Sequence, residues 1–234
     1  MWYYTAPGHR LAAPASGHNP CVHMKRKVGQ PEARKVANEI PGYTYGTPEA
    51  AKSPVSVSDL ELLKKTVNFT NEDQKYLRMA GEVLSDQTEE VVKGWRGVIA
   101  ANSHLAQYSL GPDGKPDAHY SANSGLRFRQ WILDTCFRLY DQDWLDYQQE
   151  IALRHTSQKK NKTDHVESAA HVPLRYVIAF TAIINDAVKP FLAAKGHSPD
   201  EVEKMHRAWC KSVQLQIALW SEPYSDPNVA PNEW

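Results

Sequence analysis

The chain has 234 residues, with 27 Lys plus Arg against 27 Asp plus Glu and a formal net charge of zero. That balance excludes the basic footprint of a nucleic-acid binder and a charged membrane-surface patch, and the length suits one domain with tails. Cys21, Cys136 and Cys210 are far apart with no CxxC, which excludes a disulfide framework and a zinc site and fits a reducing cytoplasm.

Residues 1–38 mix Pro, Gly, Ala, Lys and Arg without periodicity and predict a disordered or loosely ordered arm. Trp2, Tyr3 and Tyr4 are not followed by an apolar core, so no signal peptide is expected, while Met24-Lys-Arg-Lys27 offers an alternative start. Seven of the 15 prolines fall in residues 1–54 and three after 222, which bounds a domain over residues 39–224 and a tail over 225–234.

From about residue 58 the pattern is helical. Ser58-Asp-Leu-Glu61 reads as a capping box before Leu62 and Leu63. Thr70 can cap the next helix, with Glu72 and Asp73 in its first turn. Periodicity then runs to about Ala101, long for one globular helix, so a break is expected near Gln87 or Gly94. Pro112-Asp-Gly-Lys-Pro116 is a turn-rich loop. Helices follow over about His119–Leu139 and Gln142–His155, then from Pro173 to a glycine stop near Gly196. Ser198-Pro-Asp-Glu201 opens the last, which runs to about Trp220. No alternating strand pattern occurs, and the apolar runs are short and interrupted, so no membrane span is expected.

Trp144, Tyr147, Gln148, Ile151 and His155 recur at spacings of three and four and line one helix face that a histidine closes, before the polar run Thr156–Lys162. Two readings stay open on spacing alone. His155 is a core histidine satisfied by a backbone carbonyl, or it is an axial ligand held on an apolar wall for haem iron.

The chain resembles the protoglobins, single-domain haem globins related to the sensor domains of globin-coupled sensors. The resemblance covers roughly residues 39 to 224. It is carried by Ile40-Pro-Gly-Tyr-Thr-Tyr-Gly46, Ala80-Gly-Glu-Val-Leu84 with Asp86-Gln87, Trp131-Ile-Leu-Asp-Thr135 and Tyr140-Asp-Gln142. Trp144-Leu-Asp-Tyr-Gln148, Leu153-Arg-His155, Lys159-Lys-Asn161, Thr163-Asp164 and Val166-Glu-Ser168 continue it. Lys189-Pro-Phe-Leu192, Glu201-Val-Glu-Lys-Met205 and Ala218-Leu-Trp220 complete it.

The resemblance implies an all-α globin fold with an additional N-terminal helix, haem b sandwiched between helices, and His155 as the proximal iron ligand. It places Trp95, Phe128 and Phe180 around the haem, Phe128 on the distal side, with Val172, Val177 and Ile183 as weaker wall candidates. By spacing alone Phe128 and Phe180 read equally as core, beside Trp131 and Ile132 and beside Val177 and Ile184. Arg127 and Tyr147 are candidates for the haem propionates; the plain alternative for Arg127 is a solvated charge. His104, His119, His165, His171, His197 and His206 read as surface residues, His171 the best of them for a second haem contact. Cys136 reads as a half-buried free thiol.

One departure stands out. Where protoglobins usually carry a distal tyrosine after the tryptophan, this chain has Arg96. Its guanidinium can reach a propionate or solvent, face the iron's ligand and favour anions or polarised species, or lie on the surface. Ser109, Ser124 and Thr181 also replace larger or more apolar residues, which implies a reshaped distal side.

The expected function is reversible binding of a diatomic gas (oxygen, carbon monoxide or nitric oxide) at five-coordinate iron, in a cytoplasmic homodimer. The dimer is expected because Trp209, Val213, Leu215, Ile217, Leu219 and Trp220 make the last helix apolar on more than one face, and because the family forms one. A haem enzyme working on peroxide, nitrite or carbenes in the reshaped pocket is the alternative. A haem-free helical interaction or sensor module that keeps only the fold is the third; the tail from Ser221 is too short for an output domain.

Overall fold

The computed structural model describes residues 40–226 and 228; the arm over 1–38 and most of the tail lie outside the described residues. Among the described residues the architecture is all-α: α1 (Val57–Thr66), α2 (Asn71–Leu84), α3 (Thr88–Ala101), α4 (Ser103–Ala106), α5 (Ala118–Phe137), α6 (Gln142–Leu153), α7 (Leu174–Leu192) and α8 (Pro199–Trp220).

Local chemistry sets most boundaries. Thr70 and Asp73 form the capping box of α2, and Ser198 and Glu201 that of α8 with Pro199 in the first turn. The break after α2 falls at Ser85–Gln87, and Gly94 stays inside α3. There Gln87 Nε2 donates to Val83 O of α2 at 2.7 Å and to Phe191 O near the end of α7 at 3.3 Å, so the side chain caps the broken helix and ties it to α7. Gly196, at φ +77°, follows the short 3-10 turn that ends α7. Two expectations are corrected. The first box is Ser56 with Asp59, not Ser58 with Glu61, so α1 begins earlier. The helix before His155 ends at Leu153, leaving His155 in the turn beyond it. The short α4 and the 3-10 turn Gln107–Ser109 have no counterpart in the predicted elements.

The larger core lies among α2, α3, α5, α7 and α8, centred on Trp131. Its ring meets Trp95 and Trp209 edge-on at centroid distances of 5.9 and 5.6 Å. Its Nε1 donates to Gln216 Oε1 at 2.6 Å, and Gln216 Nε2 donates onward to Thr135 Oγ1 at 3.1 Å, so the buried amide is satisfied. α8 packs on α2, α7 and α6 at once. Trp209, Val213, Leu215, Ile217, Leu219 and Trp220 are all buried within one chain. The apolarity of this helix therefore calls for no partner, and the physical reason for expecting a dimer from it falls away.

Gly81 marks where α2 and α5 approach each other. A Cβ there would stand 2.7 Å from Cys136 Cβ and 2.6 Å from Phe137 Cζ. Phe137 is partly exposed and can swing away, but the Cys136 Cβ is fixed to the α5 backbone. Gly81→Ala, favoured by about 1 kcal/mol in an isolated helix, should therefore destabilise the fold by about 1–3 kcal/mol. Urea unfolding measures it.

Residues 40–55 form a strap over α5 and α6. Tyr43 Oη donates to Asp134 Oδ2 (2.6 Å). Ala51 N donates to Glu150 Oε2 (2.9 Å), Lys52 Nζ to Asp146 Oδ2 (2.7 Å) and Ser53 N to Asp146 Oδ1 (3.0 Å). Tyr43 and Tyr45 both pack edge-on against Tyr147. The strap turns at Gly42, φ +71°, where a Cβ would also lie 2.9 Å from both Arg127 Nη1 and Thr163 Cγ2.

One described stretch, Leu174–Lys195, is long and apolar enough to cross a membrane by length and composition, at mean hydropathy 1.5. Only 11% of its apolar window is buried. Its apolar side chains Val177, Phe180 and Ile184 line a partly open cavity.

Candidate functional site

That cavity has a volume of about 380 Å³, within the range of small-molecule sites. Trp95, Arg96, Arg127, Phe128, Tyr147, His155, Val172, Val177 and Phe180, spread over more than 80 positions in sequence, all border it. Ser109, Ser124 and Thr181 border it as well, so the departures seen in sequence fall on one wall system. Ile183 does not; it packs on the core, and Ile184 lines the cavity in its place. A more open hollow of about 440 Å³ beside Gln107, Pro112 and Glu167 is lined by neither an imidazole nor an aromatic ring.

His155 sits where α6 has just ended. Its Nδ1 lies 2.9 Å from Ile151 O. A carbonyl can only accept, so Nδ1 carries the proton and Nε2 is a bare lone pair. No described residue bonds Nε2. The ring stacks on Trp220 at 5.9 Å, and the backbone is held by Val172 N donating to His155 O at 2.8 Å. Burial pushes the imidazole pKa down, only partly opposed by the Ile151 carbonyl, so the ring is neutral at neutral pH. The two sequence readings of His155 are thus compatible: the backbone carbonyl is present, and it leaves the other nitrogen available.

The aromatic wall is part exposed and part core. Phe128 is 37% exposed, unusual for a phenylalanine in mid-helix. Trp95 is buried against Trp131, and its indole Nε1 has no partner.

Arg127 is not a solvated charge. Its guanidinium pairs with buried Asp164 (Nη1–Oδ1 3.0 Å, Nη2–Oδ2 2.5 Å) and donates to Pro41 O at 2.7 Å. Burial pushes the Asp164 carboxyl up, but bonds from Arg127 and Asn123 outweigh it and hold the carboxyl below the usual range. Tyr147 is buried at the cavity edge, and no described residue bonds its hydroxyl. Arg96 is not on the surface; it borders the cavity, donating to Ser124 Oγ at 2.6 Å.

Tyr120, Ile151, Lys160 and Trp220 also line the cavity and are absent from the predicted set. Ile151 carried a signal, since it lies one turn before His155 on the same face. Lys160 carried none: it belongs to a wholly polar run, yet it is 3% exposed, donating to Tyr108 O (2.7 Å) and Ser168 Oγ (2.6 Å). Burial pushes its ammonium down to about 8.

The other histidines divide. His104, His119 and His165 are exposed, as expected. His171, His197 and His206 are half-buried, His206 lying 2.9 Å from Asn185 O and His171 beside Tyr224. His171 does not border the cavity. Cys136 is fully buried rather than half-buried, and burial raises its thiol pKa. Among the described residues no group of three or more His, Cys, Asp or Glu side chains could hold a metal ion. A lone imidazole on an apolar cavity is a donor set suited to a metal whose other ligands come from an organic ring.

A family model described as Protoglobin matches residues 56–229. No curated protein matches the chain. Among solved structures, the globin domain of a Geobacter sulfurreducens globin-coupled sensor is similar, with a TM-score of 0.55 and 12% identity over 74% of this chain and 99% of that one. At that identity the likeness concerns the fold.

Proposed function

The chain belongs to the protoglobin family, a family of haem globins, and on that premise we propose that its cavity holds haem b with His155 as the proximal iron ligand. The sixth position is then open to oxygen, carbon monoxide or nitric oxide. The observation that carries this reading is the His155 ring itself: Nδ1 is committed to Ile151 O, and Nε2 is an unprotonated nitrogen without a protein partner on a cavity-lining residue.

Haem, when bound, supplies the iron centre at which a gas coordinates. The chain does the rest. The Ile151 carbonyl fixes the tautomer and orientation of the imidazole, as outer-shell partners of ligating histidines do. Trp95, Phe128, Val177 and Phe180 present apolar surface that excludes water. Tyr147, with a free hydroxyl, and Arg127, fixed in place by Asp164, offer donors to the porphyrin carboxylates. Residues 39–224 form the haem domain in this reading.

The test is the absorption spectrum of the purified protein, ferric, then reduced, then under carbon monoxide. A sharp Soret band that shifts at both steps is expected. No Soret band after haem is added would sink the proposal.

A further inference from the structure

Arg96 is set apart from the other arginines on the cavity wall. Arg127 has Asp164 and Arg154 has Glu150 as carboxylate partners. Arg96 has none among the described residues. Its one hydrogen bond goes to a neutral hydroxyl, Ser124 Oγ, at 2.6 Å. A guanidinium has five N–H donors, so four remain. Burial works against its charge, and a half-buried cation without a counter-ion is costly to hold.

The position is nevertheless built. Ser124, Gly125 and Phe128 follow one another on one face of α5. The Arg96 Cζ lies 5.9 Å from the Phe128 ring centroid. The guanidinium lies over the backbone of Gly125, where a Cβ would stand in ordinary contact at 3.4 Å from Nη1 and 3.6 Å from Nη2. Ser124 Oγ donates to Tyr120 O at 2.6 Å, which spends its proton and leaves its lone pairs for Arg96. The guanidinium is therefore oriented by a hydroxyl and an aromatic ring, neither of which neutralises it. No hydrogen bond joins it to the Arg127–Asp164 pair.

We propose that Arg96, oriented by Ser124 and Phe128, makes this cavity selective for small monovalent anions of the azide and nitrite class over neutral ligands. The inference rests on the haem reading, because the anion's other contact is the sixth position of the iron. It names what that position prefers.

Soret titrations of the ferric protein with sodium azide and with imidazole test it, in the wild type, Arg96→Met, Arg96→Lys and Ser124→Ala. Arg96→Met should weaken azide by about tenfold or more, the worth of a hydrogen bond to a charged group. Imidazole should move by no more than about twofold, since it gains nothing from the cation. Arg96→Lys should keep part of the azide affinity, and Ser124→Ala should lose a smaller part. In the carbon monoxide complex the C–O stretch should rise in Arg96→Met, because a nearby cation strengthens back-donation. Azide and imidazole weakening in proportion would overturn the proposal. So would faster haem transfer from Arg96→Met to apomyoglobin with the azide-to-imidazole ratio unchanged, which would make Arg96 a porphyrin-carboxylate partner. If Arg96→Met fails to fold, the lysine and alanine variants carry the same ratio test. A wild type without a Soret band removes the haem reading and the proposal with it. A normal carbon monoxide spectrum with no anion preference removes this proposal alone.

Discussion

His155→Gly is expected to abolish the five-coordinate ferrous spectrum, and millimolar imidazole is expected to restore it. Among the described residues the side chain is the only imidazole on the cavity wall, and none of them bonds its Nε2. Outer-shell partners of a metal ligand are worth roughly 10–100-fold in affinity; the ligand itself should exceed that, read as the rate of haem loss to an acceptor globin. The fold should survive, because the ring makes a stack on Trp220 and one hydrogen bond to a backbone carbonyl and belongs to neither core cluster. Far-ultraviolet circular dichroism checks that point. A spectrum unchanged in the glycine variant would place the iron ligand elsewhere.

Asp164→Ala should cost about 3–5 kcal/mol, the size expected when one member of a buried ion pair is removed and the other left alone. Asp164 is 5% exposed and takes bonds from both Arg127 nitrogens and from Asn123 Nδ2. The same group makes stability fall with acid. Its carboxyl titrates below its unfolded value, so its contribution is complete above about pH 4 and is lost as the pH drops through the folded value. Glu150 behaves alike: burial pushes it up, but Arg154 and Lys159 outweigh that and hold it low. Urea midpoints between pH 7 and pH 3 should therefore fall steeply in the wild type and less steeply in Asp164→Ala. The double change Asp164→Leu with Arg127→Met should recover most of the loss, since an apolar pair leaves no charge stranded.

How legible was this site beforehand? Residues that announce themselves by local spacing were found. Thr70, Ser198 and Gly196 act through neighbours a few positions away, so their roles could be read along the chain. His155 and Phe128 lie on periodic faces, and the structure puts both on the cavity. What failed to show were partnerships across the fold. Nothing near Arg127 indicates that Asp164, 37 positions on, will claim it. Lys160 looks solvated because its neighbours are polar, and only the folded loop encloses it. Gly81 is a poor residue for a helix interior until Cys136 is seen against it. The last helix points the opposite way: its apolar faces suggest a second chain, and α2, α5, α6 and α7 of its own chain cover them. Composition reports how much must be buried, not by what.

The strap over residues 40–55 also bears on how the chain comes together in time. Its bonds to Asp134, Asp146 and Glu150 span 91, 93, 94 and 99 positions. At a synthesis rate of about 5–20 residues per second, the strap waits roughly 5–20 s for α6 to emerge. Through that interval Tyr43 and Tyr45 have no Tyr147 to pack on. Contacts of such long range pay their loop-closure entropy late. The strap side of the wall that carries His155 therefore closes well after α2 and α3 are available to pair, while α7 and α8 are still to follow.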